Sequence, residues 1–208
     1  MNEAAILAKV EAYYAGRLEA YGATPRGVDW SSAESQQLRF EELLRLCERD
    51  RAFSLVDYGC GYGALLDYLV ERGAPVTYTG FDVSRDMIQA ARQLHVAHPD
   101  ATFVSREAEV PVADYAIASG IFNVRLDVPD EVWQAYVLAS LDKLAAIGRR
   151  GFAFNMLSQY SDADRRCADL YYGDPVALFD HCKRRFSPRV ALLHDYPLWE
   201  FTVLVRME

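Results

Sequence analysis

The stretch LVDYGCGYGALLDYLVERG, residues 55–73, decides the fold. A short apolar run ends in Asp57, glycines follow at positions 59, 61 and 63, and an amphipathic segment begins at once. An apolar strand that passes directly into a helix is typical of a parallel sheet with helices on its faces. Because glycine lacks a Cβ atom, it permits a tight turn with positive φ and lets the main chain approach a ligand closely. The sequence therefore predicts a ligand-binding turn between the first strand and its helix.

The chain after this turn continues to alternate between strand and helix patterns. Amphipathic helices are predicted over 64–73, from a Ser84 cap onward, and from near Pro129 to Gly148. One more helix is predicted after an Asp174 cap, and the two apolar runs that follow it are so close together that they must pair antiparallel. Strands are predicted over 53–57, 77–82, 101–105, 114–120, 151–157, 189–196 and 201–207. The predicted fold class is α/β, a doubly wound and mostly parallel seven-stranded sheet with a C-terminal antiparallel strand pair, preceded by an N-terminal helical extension.

The residues before the first strand are predicted to be helical. Apolar residues recur at helical spacing over 3–21, and we expect Tyr13 and Tyr14 on this helix to pack in the core. Ser31, followed three residues later by Glu34, has the pattern of a capping box. It predicts a second helix that runs to about Asp50.

Composition and charge limit the function. The 208 residues suit one compact domain with a small appendage, which we divide into a helical lid, 1–50, and a ligand-binding domain, 51–208. A formal net charge of −8 disfavours a nucleic-acid partner, since such binders concentrate Lys and Arg on one face. The four cysteines have no paired short spacing, which predicts no metal site and indicates a reducing compartment. With neither a signal-peptide pattern nor a membrane-spanning run, we expect a cytoplasmic protein without a membrane partner.

Ligands of an open α/β sheet bind beyond the carboxyl ends of the strands, where the strand order reverses. This rule selects the residues that follow each parallel strand. By the same rule Arg149 and Arg150, which enter a strand, belong to the opposite rim as a solvated basic pair. The residues expected at the ligand-binding rim are Asp57, Asp82, Glu107, Ser119, Gly120 and 155–158.

The glycine turn fits two kinds of ligand. Residues 59–64 satisfy the G-x-G-x-x-A fingerprint of dinucleotide-binding proteins, so a small nicotinamide-dependent reductase is one interpretation. The carboxylate of Asp57, however, would repel a pyrophosphate and attract a ligand that carries an ammonium group. Asp82, at the end of the next strand, is placed to accept hydrogen bonds from a ribose diol. The combination of an ammonium group and a ribose favours S-adenosylmethionine as the cofactor.

The segments VDYGCGYG, GFDVS, FVSREAE and DYAIASGIFNV, in this order, support the second interpretation. Together with the closing strand pair, they resemble the motif series of class I, seven-stranded, S-adenosylmethionine-dependent methyltransferases over residues 50–208. The leader before them is the part that the resemblance covers least. The resemblance implies an S-adenosylmethionine-binding methyltransferase domain over 51–208.

The resemblance also implies roles for particular residues. Asp57 would lie near the methionine ammonium group, the first two glycines of the turn would face the methionine portion, and Asp82 would bind the ribose hydroxyls. Val83 would lie against the adenine. Glu107 would contact the adenine amino group, although it follows Arg106 where the family often has a Gly-Asp pair. The implied cofactor-binding residues are Asp57, Gly59, Cys60, Gly61, Asp82, Val83, Glu107 and Ser119.

The expected reaction is methyl transfer by in-line displacement to a small-molecule acceptor, for which the protein supplies alignment and a water-poor site. No catalytic residue and no metal is assigned, and His194 is interpreted as a structural residue on a strand. Arg125, Arg165 and Arg166 lie on the ligand side, which leaves an anionic acceptor open. A domain that binds S-adenosylmethionine or S-adenosylhomocysteine without catalysis is the alternative function. The predicted substrate residues are Trp30, Phe122, Asn123, Arg125, Tyr160, Tyr171 and Tyr172.

Overall fold

A computed structural model describes residues 1–48 and 51–207 of the chain. Helices and strands alternate from the first strand onward, as the apolar patterns predict. The α-helices are α1 (Glu3–Tyr21), α2 (Ala33–Leu44), α3 (Ala64–Glu71), α4 (Arg85–Leu94), α5 (Asp130–Ile147) and α6 (Pro175–Arg185). The strands are β1 (Phe53–Tyr58), β2 (Val76–Phe81), β3 (Ala101–Val104), β4 (Ala113–Ala118), β5 (Gly148–Leu157), β6 (Arg189–Leu193) and β7 (Glu200–Arg206).

The strands form one sheet in the order β3-β2-β1-β4-β5-β7-β6. Strands β1 to β5 are parallel, whereas β7 lies antiparallel between β5 and β6. The predicted fold class is therefore confirmed. The strand order reverses between β1 and β4, and Asp57 near the end of β1 pairs with Gly80 on one side and Ile117 on the other. A ligand site is expected at the carboxyl ends of these two strands.

Apolar side chains are buried on both faces of the sheet. On one face Trp133 and Leu141 of α5 pack with Phe154 of β5. On the other face Leu65 and Leu69 of α3 pack with neighbouring strands. The central strands β1, β4, β5 and β7 are mostly buried because helices cover the sheet from both sides, whereas no residue of the edge strand β6 is fully buried.

The leader, residues 1–50, contributes to both of these layers. Ile6 of α1 is 2% exposed and packs in the layer that contains α5. Leu43 and Leu44 of α2 are fully buried in the layer that contains α3. The connection between the two helices, residues 22–32, is called the strap here, and it crosses from one face of the sheet to the other.

The start and end of α2 differ from the sequence prediction. The N-cap is Ser32 and not Ser31, because the Ser32 hydroxyl accepts a hydrogen bond from the Ser35 backbone N–H and the Ser35 hydroxyl accepts one from the Ser32 N–H. This is a capping box with Ser35 in the place predicted for Glu34. The helix ends at Leu44, several residues early, and the predicted end at Asp50 lies outside the described residues.

Other predicted elements agree with the structure within a few residues. Ser84 caps α4, Asp174 caps α6, and Gly148 follows the last residue of α5. The strand predicted over 189–196 ends earlier, at Leu193. Within the described ranges, no helix is both long and apolar enough to cross a membrane.

Candidate active site

A cavity opens at the carboxyl ends of β1 and β4, where the strand order reverses. Its cavity volume is about 100 Å³, and the free space including the open mouth is about 910 Å³. One wall is formed by the glycine turn and the end of β2. Another wall is formed by side chains of the leader. The lining residues of the sheet side include Asp57, Gly59, Cys60, Gly61, Asp82, Val83, Ser119 and Gly120.

The main chain of the glycine turn adopts conformations that other residues avoid. Gly59 has φ of 86°, and a Cβ atom at this position would lie 2.2 Å from Cγ2 of Ile121. Gly63, with φ of 89°, is the N-cap of α3. Left-handed backbone of this kind is strained for any residue with a Cβ atom. The turn consequently presents bare backbone to the cavity.

His95 packs against the glycine turn but does not line the cavity. This residue is 4% exposed, and its ring stacks on that of Phe103 with the ring centres 5.4 Å apart. Its Nε2 atom lies 3.1 Å from the carbonyl oxygen of Tyr62, and because a carbonyl only accepts, Nε2 donates. A Cβ atom at Gly63 would lie 2.7 Å from the same nitrogen. His95 therefore contacts the turn without lining the cavity.

Asp82 connects β2 to the glycine turn. Its Oδ2 atom accepts a hydrogen bond of 2.9 Å from the N–H of Gly61, and Oδ1 accepts one of 2.8 Å from the N–H of Ser84. Burial raises the pKa of this carboxyl group, whereas the two backbone donors lower it. Each oxygen retains lone pairs for a further donor. The carboxylate is thus fixed in orientation at the edge of the cavity.

Asp57 is more deeply buried than Asp82, with 3% of the residue exposed. The Tyr78 hydroxyl donates a hydrogen bond of 2.7 Å to its Oδ2 atom. The pKa of Asp57 is raised to about 7, chiefly by burial; the hydrogen bond from Tyr78 opposes this rise, and the nearby carboxylate of Asp82 adds to it. A cationic group placed beside Asp57 would favour the ionised form. In the described part of the chain, the charged side chains that line this cavity are Asp57 and Asp82, and no Lys, Arg or His lines it.

The end of β4 supplies a hydroxyl group and a backbone N–H. The Oγ atom of Ser119 is buried and has no hydrogen-bond partner among the described residues. The N–H of Gly120 donates to Oδ1 of Asn155 at 2.7 Å. A buried hydroxyl without a partner is costly, so the Ser119 side chain is available for a ligand.

Glu107 is separate from the other predicted cofactor residues. Its Oε1 atom accepts a hydrogen bond of 2.9 Å from the Tyr58 hydroxyl, and Oε2 pairs with Nζ of Lys143 at 2.9 Å. Tyr58 lines the cavity, whereas Glu107 does not. The structure thus brings together seven of the eight predicted cofactor-binding residues and places Glu107 behind Tyr58.

Comparisons with known proteins are consistent with this geometry. A family model described as "Methyltransferase domain" matches residues 56–144. The chain is 54% identical over 163 residues, which is 78% of this chain and 98% of the relative, to the protein of Mycobacterium tuberculosis (strain ATCC 25618 / H37Rv) named "Putative methyltransferase Rv1506c". This chain belongs to the class I S-adenosylmethionine-dependent methyltransferases.

Solved structures share the fold of this methyltransferase. The DhpI complex with SAH is 16% identical, with a TM-score of 0.66 and coverage of 99% of this chain and 98% of that chain. The N-methyltransferase NodS of Bradyrhizobium japonicum WM9, in complex with S-adenosylhomocysteine, is 14% identical, with a TM-score of 0.66 and coverage of 95% and 97%. Of the functional classes that the sequence left open, the methyltransferase is the confirmed one, and its cofactor is S-adenosylmethionine.

The residues of the methyltransferase cavity fit this cofactor. The main chain of Gly59 and Gly61 lines the cavity, and the buried carboxylate of Asp57 complements an ammonium group. The unpartnered hydroxyl of Ser119 offers one more polar contact. Within the described residues there is no cluster of His, Cys, Asp or Glu that could hold a metal ion.

Among the predicted substrate residues, Trp30 lines the cavity. Phe122 is fully buried, and the Asn123 side chain accepts a hydrogen bond from the Leu157 N–H. Arg125 donates to backbone carbonyls and pairs with Asp130. The three predicted tyrosines do not line the cavity. Tyr160 is 60% exposed beside His194, Tyr171 is half-buried, and the Tyr172 hydroxyl accepts a hydrogen bond from the Cys167 N–H.

The leader supplies lining residues that the sequence analysis missed. On α1, Leu7, Val10 and Tyr14 form one face toward the cavity, so Tyr14 is a cavity residue and not the core residue that we expected. On α2, Gln36 and Phe40 line it from the other side. The helical spacing of these residues is present in the sequence. Such spacing shows that one face of a helix is buried, but not which part of the protein or which ligand lies against it.

Asp29 of the strap contacts α1 through its side chain. This residue has φ of 63°, in the left-handed region, and its carboxylate accepts a hydrogen bond of 2.5 Å from the Tyr13 hydroxyl. The same carboxylate pairs with Arg17 at 2.5 Å. Tyr13 therefore holds the strap and does not pack in the core. On either side of Asp29, Val28 and Trp30 line the cavity.

Proposed function

We propose that this methyltransferase transfers the methyl group by in-line displacement to a small-molecule acceptor. The observation that carries the proposal is that the leader and the glycine turn line one cavity, with Tyr14 and Trp30 on the leader side and Gly59 on the other. A site covered in this way excludes water and suits a small acceptor better than a macromolecular surface.

S-adenosylmethionine, when bound, supplies a methyl group that its positively charged sulfonium already activates. The residues of the chain then have to orient and shield the reactants. In this proposal Asp57 attracts the ammonium group and Asp82 accepts hydrogen bonds from ribose hydroxyls. Ser119 and the backbone of the glycine turn complete the cofactor side.

The acceptor that fits this cavity is uncharged or cationic. The charged side chains that line it, within the described residues, are two carboxylates. The Arg125 side chain pairs with Asp130 and donates to backbone carbonyls, and neither Arg165 nor Arg166 lines the cavity. An anionic acceptor would therefore find no cationic side chain among the described lining residues.

Two further points support a small-molecule enzyme of the cytoplasm. The net charge of −8 disfavours binding to a polyanionic nucleic acid. Cys60, Cys167 and Cys182 are free thiols, which is the state expected in a reducing compartment.

The test uses the full chain and methyl-labelled cofactor. The protein is incubated with a cell extract separated into small-molecule, protein and nucleic-acid fractions, and the labelled product is identified by mass. We expect label in the small-molecule fraction. Label in a macromolecular fraction alone would overturn the proposal. With the acceptor in hand, a cofactor whose methyl group is chiral through hydrogen isotopes should give inversion, and retention would exclude a single in-line displacement.

A further inference from the structure

A buried polar network lies beside the cavity and joins parts of the chain that are distant in sequence. The guanidinium group of Arg39 on α2 donates to both carboxylate oxygens of Glu200 at the start of β7, with Nε at 2.9 Å from each. Nδ2 of Asn155 on β5 donates to Oε2 of Glu200 at 2.7 Å. Oδ1 of the same Asn155 accepts the 2.7 Å bond from the Gly120 N–H.

These side chains are withdrawn from water. Arg39 is 7% exposed, Glu200 is 1% exposed and Asn155 is 0% exposed. Transfer of an ion pair into the interior costs desolvation free energy that the attraction often fails to recover. Replacement of a buried ion pair by apolar residues of similar volume is often neutral or stabilising. A network with this cost is better explained by the orientation that it imposes.

Both ends of the network reach the cavity. At one end, Asn155 fixes the N–H of Gly120, whose φ is 75°. At the other end, the guanidinium carbon of Arg39 lies 3.9 Å from the ring centre of Trp30. The two ends meet, because a Cβ atom at Gly120 would lie 2.4 Å from Cη2 of Trp30. The indole ring is thus held against the end of β4.

We propose that Arg39, Glu200 and Asn155 are positioning residues of the methyl transfer. They hold Trp30 and Gly120 as a rigid wall against which the acceptor is placed. This rests on the proposed function, since it requires the acceptor to enter the same cavity. The three residues touch neither reactant and move no proton. They act through the indole ring and the Gly120 backbone.

The first variant is Arg39→Lys. A lysine keeps the charge that Glu200 needs, but it cannot bind both carboxylate oxygens in the same plane or stack on an indole ring. If the pair serves only to hold the fold, Arg39→Lys should transfer methyl groups as the wild type does. If it positions Trp30, we expect kcat/KM for the acceptor to fall at least about tenfold, because small misplacements reduce transfer rates strongly. The affinity for S-adenosylhomocysteine should stay within about threefold.

The second variant removes both charges. Glu200→Gln alone would leave Arg39 buried without its counterion, so it is combined with Arg39→Met. The double variant should melt near the wild type and bind S-adenosylhomocysteine, yet transfer as poorly as Arg39→Lys. The control is Asp180→Asn, which removes an exposed ion pair with Arg184 on α6 and should change neither transfer nor affinity. Normal transfer by the folded double variant would overturn the proposal, and Arg39→Lys decides the question if the double variant does not fold.

A fluorescence measurement separates this proposal from the proposed function. The emission of Trp30 is isolated as the difference between each protein and the same protein with Trp30→Phe, and its quenching by acrylamide is measured with and without S-adenosylhomocysteine. We expect Trp30 to become more accessible to the quencher in Arg39→Lys. An unchanged quenching would overturn the positioning role. If the wild type methylates no small molecule, the proposed function fails while the quenching result still tests whether the network holds Trp30.

Discussion

The glycine turn and the leader line the same cavity, but they are built differently. The turn is a short continuous segment, 57–63, which contributes glycine main chain and the Asp57 carboxylate beside Tyr58, Cys60 and Tyr62. The leader reaches the cavity with side chains from α1, the strap and α2, spread from Leu7 to Phe40. Backbone groups present the same donors whatever residues surround them, whereas a wall of side chains changes with every substitution. The first arrangement suits a fixed cofactor, and the second suits the selection of an acceptor.

Removal of residues 1–30 should have the largest effect, because it tests whether the two walls are independent. We expect methyl transfer to the acceptor to be lost while the affinity for S-adenosylhomocysteine, measured by calorimetry, stays largely intact. A large loss of affinity would show that the leader also binds the cofactor. The loss of Ile6 from the core should lower the free energy of unfolding by about 2–5 kcal/mol. Unchanged affinity in a folded truncated protein would show that the leader acts on the acceptor alone.

Gly59→Ala tests the backbone wall. A residue with a Cβ atom at φ of 86° costs about 1–2 kcal/mol, and the clash with Ile121 adds to this. We expect the affinity for S-adenosylhomocysteine to fall about thirtyfold. The matched control is Gly16→Ala on α1, where a Cβ atom meets nothing within 4 Å. This control should raise the free energy of unfolding by up to about 1 kcal/mol and leave affinity unchanged.

Asp82→Ala tests the carboxylate that connects the end of β2 to the glycine turn. Hydrogen bonds to charged groups contribute about 1.5–3 kcal/mol each, so calorimetry should show at least about tenfold weaker binding of S-adenosylhomocysteine. Arg149→Ala, which breaks an exposed ion pair with Asp114 on the opposite edge of the sheet, should leave affinity within about twofold. Equal effects of the two substitutions on affinity would show that Asp82 does not bind the cofactor.

The smallest expected effect concerns Asp57 and pH. Burial raises the pKa of Asp57 to about 7, so below this pH the free protein must release a proton before the carboxylate can attract an ammonium group. Affinity for S-adenosylhomocysteine should therefore rise with pH, by up to about tenfold from pH 6 to pH 8. Asp57→Asn should remove the pH dependence. If the affinity of the wild type does not change over this pH range, Asp57 does not interact with the ammonium group.

The raised pKa also has a consequence for the stability of the free protein. The neutral form of Asp57 is favoured in the folded state, so its contribution to the free energy of unfolding is greatest below the unfolded pKa, near 3.8, and is lost as the pH rises through about 7. S-adenosylhomocysteine should accordingly raise the melting temperature more at pH 8 than at pH 6, because its affinity is greater there.

Structural features that depend on residues close together in the sequence could be predicted from it. The turn at Gly59, the Ser84 cap and the antiparallel closing strands follow from local patterns, and each is present in the structure. The N-cap of α2 was displaced by one residue because Ser31 and Ser32 are both suitable caps, and only the partner Ser35 distinguishes them. Local patterns therefore determine the elements to within a few residues.

Contacts between distant parts of the chain could not be predicted. The apolar face of α1 indicated burial, but not that Tyr14 would line a cavity. Glu200 appeared to belong to a turn, although it begins β7 at 1% exposure and pairs with Arg39 across 161 positions of sequence. Glu107 was assigned by its place after β3, yet it bonds to Tyr58 instead of lining the cavity. These outcomes depend on tertiary packing, which spacing does not encode.

The pairing of Arg39 with Glu200 has a consequence for the order of folding. A contact that closes 161 residues of chain forms late, because the loop between its ends must first be restrained by other structure. During synthesis Arg39 on α2 cannot pair with Glu200 until β7 has been made and has taken its position between β5 and β6. The wall that holds Trp30 is thus completed only when β7 is in place. An incompletely made or C-terminally cleaved chain would contain the whole glycine turn and still lack a finished site.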